Sequence, residues 1–242
     1  RREPLRPRPL SERTGAGRVA IVNAVVEPRV VSAAAYRDRV AALGPIVREL
    51  AGRRPRPRRE RLSGMHNPWG HAAVLANAWR FLDVCEDAAL VDTIESLIGP
   101  DIVLWDSELH LEALNWLRFV DAGREGRYWP AEPLAGAIAL VRPSRPERAA
   151  ICVELASLST ADLHDLAPDE PLYVIRCMPA TSRYVRDPQA ARNHAAMQEQ
   201  PLINYATRPL WLLRGNDRAG NDFVTGFSPP VPRWAAQPME QH

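Results

Sequence analysis

Apolar positions along this chain recur first with a helical period and then with a strand period. From Ser32 onward, Tyr36, Val40, Leu43, Val47 and Leu50 fall on one stripe of a helix, with Ser32 as its cap and Pro45 placed to kink it. A second helix is predicted over residues 83–98, opened by an Asp83/Glu86 capping pattern and stopped at Gly99-Pro100. Leu90, Val91, Ile94, Leu97 and Ile98 form its apolar face. Before these helices, residues 18–26 are β-branched and apolar, which predicts a strand. After them strand signals dominate, over residues 102–113, 135–141, 151–155, 172–178 and 209–213. This order fits an α+β fold with a β-sandwich or jelly roll core.

Residues 1–17 are rich in Arg and Pro and read as a flexible segment, which leaves 18–242 as a single domain. Residues 53–61 read as a Pro-broken basic surface loop. The chain opens on Arg1, so some sequence is expected to precede it; no signal-peptide pattern is seen. No apolar run reaches the roughly 20 residues that span a bilayer. The three cysteines, Cys85, Cys152 and Cys177, lack zinc or disulfide spacing, and a cytoplasmic location is expected.

All 31 basic residues are Arg, which excludes Schiff-base, pyridoxal-phosphate and P-loop lysines and suits a GC-rich genome. A net charge of +2 argues against general nucleic-acid binding. The strand over 102–113 alternates sharply. Val103, Trp105, Ser107, Leu109 and Leu111 lie on one face, and Asp106, Glu108, His110 and Glu112 on the other. If the polar face points inward, His110 sits between carboxylates, which would raise its pKa and suit proton transfer; the alternative is a solvated face.

The stretch Gly123-Arg124-Glu125-Gly126-Arg127-Tyr128-Trp129-Pro130 resembles the iron-binding signature of the phytanoyl-CoA dioxygenase family. The resemblance extends over roughly residues 64–226. It includes 97–107, the run from Arg176 to Tyr184, and the segments 204–215 and 221–223. It implies a double-stranded β-helix (jelly roll or cupin-like) with flanking helices, normally holding Fe(II) and 2-oxoglutarate. The ligand positions depart from that pattern. Gly123 stands at the first metal His, Glu125 at the Asp, Ser159 at the distal His, and Glu170 at the Arg that would bind 2-oxoglutarate. A facial triad needs two His and one carboxylate.

The resemblance thus implies a degenerate site with no cofactor and no metal. Glu108, His110, Glu112 and Glu125 are its candidate catalytic groups, and Tyr128, Trp129, His66 and Arg176 its candidate substrate contacts. Three readings stay open. The first is a metal-independent cyclase, isomerase or lyase that tailors a natural-product intermediate. The second is a non-catalytic subunit or binding partner, in a homo- or hetero-oligomer with a related chain. The third is an iron enzyme with unorthodox ligands, drawing on Asp121 or Glu125 with His110 or His164. Neither nucleic acid nor membrane is an expected partner.

Overall fold

The computed structural model describes residues 27–53, 61–148, 150–163, 165–199 and 205–223. The expected flexible segment, the strand at 18–26, the basic loop between 54 and 60, and His164 lie outside these residues. Among the described residues no helix is long and apolar enough to cross a membrane.

After a short strand β1 (Arg29–Val31), helix α1 (Ala34–Gly52) buries Tyr36, Val40, Leu43, Val47 and Leu50, the stripe that the spacing predicts. It contains Pro45, and its N-cap is Ala33 instead of Ser32, with no side-chain cap. Strand β2 (Arg61–Ser63) follows. The single helix expected over 83–98 is two helices, α2 (Ala78–Cys85) and α3 (Ala88–Ile98). Asn77 caps the first by accepting from the Trp79 amide at 3.2 Å, and Asp87 caps the second by accepting from the Ala89 amide at 3.0 Å. Asp87 competes for backbone donors and restarts the helix, whereas Asp83 lies inside α2 and caps nothing. Gly99 ends α3 at φ 88°, a conformation glycine adopts without steric cost.

Strand β3 (Ile102–His110) is buried along its whole length. It stops three residues short of the expected end, because Glu112 becomes the N-cap of α4 (Ala113–Asp121). The first α4 amides donate to the carbonyls of Glu170 and Pro168. The chain continues through β4 (Ala131–Glu132), β5 (Ala137–Val141), β6 (Ala150–Glu154), β7 (Leu172–Pro179), β8 (Arg183–Tyr184), α5 (Ala191–Glu199) and β9 (Trp211–Arg214). The later strand expectations stand with shifted ends; α4, α5 and the short strands β1, β2, β4 and β8 are additions to the predicted elements.

Among the described residues seven strands form one antiparallel sheet in the order β1-β6-β5-β7-β3-β2, with β9 also on β3. β2 pairs with residues 108–110 of β3 and β9 with residues 102–104, so both share one edge of that strand. β4 and β8 form a separate two-stranded ribbon. One face of the large sheet packs on α1, α2 and α3 and carries the free thiols Cys85, Cys152 and Cys177 in its core. The other packs Trp105, Ile138 and Val174 against Trp116 of α4, Trp129, and Tyr184 of the ribbon.

A register shift between Leu104 and Asp106 makes Trp105 an extra residue in β3. Val103 and Trp105 therefore share a sheet face with Asp106, Glu108 and His110, a correction to the strict alternation of the sequence. Leu109 and Leu111 join Ile102 and Leu104 on the helical face. The polar side of β3 is not solvated; it points into the protein.

Candidate functional site

The register of β3 on β7 sets Asp106 directly across from Arg176. Glu108 follows two residues along the same face, then His110. Glu125 arrives from the turn after α4, just before the 3₁₀ segment Gly126–Tyr128. Its carboxylate grips Arg176 in a fork: Oε1 accepts from Nε, and Oε2 accepts from Nη2 at 3.0 Å. The Trp116 indole N–H of α4 also donates to Glu125 Oε2, at 3.1 Å.

Arg176 serves two further acids, with Nη2 3.0 Å from Glu108 Oε2 and Nη1 3.3 Å from Asp106 Oδ2. Arg208, in the segment before β9, pairs with Asp106 and donates to Ser63 Oγ at 3.0 Å. Arg61 of β2 lies 3.7 Å from Glu108 Oε1. Among the described residues, three carboxylates thus face three guanidiniums. Asp106, Glu108, Glu125 and Arg176 are at most 4% exposed and Arg208 8%. These groups are closed off from solvent.

Burial opposes the charge on Glu108, but Arg176 and Arg61 hold its carboxyl well below the usual glutamate value. Burial would also lower Arg176, yet Glu108 and Glu125 raise it well above the ordinary arginine value. At Asp106 burial prevails over Arg208, with Glu108 adding to it, and the pKa rises. His110 lies 3.4 Å from Glu108 Oε2 through Nε2. Desolvation outweighs that carboxylate, so its pKa is lowered, and this corrects the expected rise. His110 is a neutral imidazole at neutral pH.

Glu112 sits half-buried beyond the strand end, as the N-cap of α4. His66 lies on the other side of β3, with Nδ1 2.8 Å from Ser107 Oγ and its ring edge-on to Trp211. It is fully buried, and desolvation lowers its pKa to about 3, with Arg208 adding to the effect. Trp129 is a core residue, edge-on to Trp105 at 5.0 Å. Tyr128 is half-buried, stacked on Phe119 at 5.5 Å with Arg124 over both rings.

Gly123 follows α4 with φ 63°, so it serves as the helix terminator, a role that suits glycine and disfavours histidine. Ser159 is exposed, and Glu170 pairs with Arg145. The structure joins Glu125 to Glu108, His110 and Arg176, while Glu170 has its own partner. Asp106, Arg208, Arg61, Ser63 and Trp116 complete the network and are additions to the candidate residues. A sequence signal existed for part of it, since a charged Arg176 inside the apolar run 172–178 requires buried acids. Nothing marked Arg208.

The residues do not fit the iron that the resemblance implies. Among the described residues no three His, Cys, Asp or Glu side chains are grouped to hold a metal ion. The acids of the network already surround a permanent cation, and a second one beside Arg176 would be repelled.

Between the turn after β2 and the segment entering β9 lies a cavity of about 590 Å³. Trp69, Trp211 and Phe223 supply its aromatic walls. Trp69 stacks on Trp211 at 5.9 Å and 15°, and Trp79 meets it edge-on at 6.3 Å.

No family model matches the chain, and no curated protein does. Among solved structures it is similar to CytC3, at 14% identity over 83% of this chain and 89% of that one, with a TM-score of 0.43. It is also similar to a non-heme monooxygenase, ThoJ, in the apo form: 12% identity, 79% and 80% coverage, TM-score 0.38. The nickel complex of ThoJ gives 14% identity, 81% and 82% coverage and a TM-score of 0.37. Overlaps this loose assign neither a family nor a chemistry.

Proposed function

We propose that the protein is a metal-independent tailoring enzyme of secondary metabolism, on a dioxygenase-like scaffold, acting on a natural-product intermediate by shape and acid/base assistance. The large sheet with its two-stranded ribbon is read as the unequal halves of a double-stranded β-helix. One observation carries the proposal: the Arg176 guanidinium is encircled by Glu125, Glu108 and Asp106, with Glu125 at the position where the resemblance expects a metal ligand. Cyclisation, isomerisation and elimination need positioned proton donors and acceptors but no oxidant. His110 fits the acceptor role, being neutral, with Nδ1 bearing no hydrogen bond in the described structure. Glu108 holds its Nε2 side, and Arg176 fixes Glu108.

The test is metal analysis after anaerobic Fe(II) loading, together with a succinate assay in 2-oxoglutarate. The expected result is iron far below one per chain and no succinate. Near-unit iron with succinate formation would overturn the proposal.

A second reading, a non-catalytic subunit that stabilises a related chain, is favoured by the closure of the network to solvent. Co-expression with such a chain would then raise its yield or turnover, and no change in either would remove this reading.

A further inference from the structure

We infer that the cavity between the turn after β2 and the segment entering β9 is a binding site for an uncharged, flat, largely apolar molecule, an aromatic or fused-ring compound. Among the described residues its lining shares no residue with the charge network, so the inference goes beyond the reading above. A volume of about 590 Å³ lies within the range of small-molecule sites, ~300–1,000 Å³. Among the described residues its lining carries no charged side chain: Pro209 and Leu210 join the three aromatics, and Asn67 and Thr207 are polar. A charged ligand would lose its water there without gaining a partner.

Trp69 supplies the second argument. It is 76% exposed, yet its indole is held by Trp211 on one side and the edge of Trp79 on another. A large apolar ring fixed in orientation but left open is a stacking platform, which favours a planar partner. The walls are also built in advance. Asn67 Oδ1 accepts from the Trp69 amide at 2.9 Å, and the Gly64 amide ties that turn to the Ser107 carbonyl at 2.7 Å. Across the cavity, Arg186 Nη1 donates to the carbonyls of Ala206 and Arg208 at 2.8 Å, and the Leu210 amide donates to the Phe223 carbonyl at 2.9 Å. Little ordering remains for the ligand to impose.

The experiment titrates the full chain with N-phenylnaphthylamine, a neutral aromatic fluorophore with a flat naphthalene ring, and with its sulfonated counterpart anilinonaphthalenesulfonate. Saturable binding of the neutral probe is expected, with the anion at least about tenfold weaker. Trp69→Ala should weaken the neutral probe by about tenfold, and its exposure makes the variant safe for folding. Leu134→Ala, at an exposed apolar residue outside the cavity, should leave the affinity unchanged. No saturable binding, equal affinity for the anion, full affinity in Trp69→Ala, or equal loss in Leu134→Ala would each overturn the inference. Iron uptake with succinate formation would overturn the metal-independent reading and leave this ligand class standing, so the two failures are distinguishable.

Discussion

Arg176 sits in the middle of an apolar strand and is tolerable there because three acids meet it. Removing it would leave Asp106, Glu108 and Glu125 buried beside one another. Arg176→Met should therefore cost about 3–5 kcal/mol, measured by chemical denaturation. Glu125→Gln keeps hydrogen-bonding atoms and should cost less, about 1–3 kcal/mol. The buried histidines govern the response to acid. His66 and His110 have folded pKa values below the ordinary value of 6.5, so each contributes stability that is complete above that value and lost as the pH falls toward the folded one. Glu108, also lowered, adds a loss below its ordinary 4.5; Asp106, raised, acts in the opposite sense, favouring the fold at low pH. With His66 at about 3, that residue alone should remove about 2 kcal/mol between about pH 7 and about pH 5. Denaturation midpoints across this interval should fall in the native chain and change less in His66→Gln. An unchanged slope in the variant would show that His66 is not the titrating group.

At the level of elements, patterns local in sequence were legible and cross-chain geometry was not. The stripe on α1 and the β-branched runs of β5, β6 and β7 were readable because each buries a periodic or continuous apolar set. The break between α2 and α3 was missed because Asp83 and Asp87 offer equally good caps in one dimension, and only the fold selects Asp87. That choice has a measurable consequence. Asp87→Ala should cost about 1 kcal/mol through the lost cap, whereas Asp83→Ala should stay within about 0.5 kcal/mol of the native chain in thermal or chemical denaturation. Equal losses at the two positions would argue for one continuous helix. The bulge at Trp105 was also invisible, because one extra residue shifts a strand's faces without changing its composition. It is this bulge that lets an indole and an acid share the same side of β3.

At the scale of the molecule, one sheet separates two cores, one under the helices that is mainly aliphatic with Tyr36, Phe81 and Tyr173, and one rich in tryptophan around the charge network. The acids of the site could be read from the strand's alternation, but their partners could not. Arg176 lies 51 residues from Glu125 and 70 from Asp106, and Arg208 lies 145 from Ser63. Such pairings are decided by strand register and chain return, neither of which leaves a local mark. The network that results also restricts which neighbouring sequences this fold can visit. Among the described residues its acids and bases are matched and largely hidden from water, so any single change that neutralises a member strands an opposite charge in a medium that solvates it poorly. Divergence at Asp106, Glu108, Glu125, Arg176 and Arg208 should therefore be concerted. Homologous chains would keep the set intact, exchange an acid and a base together, or replace the whole group with apolar side chains, and intermediates carrying one loss would be rare.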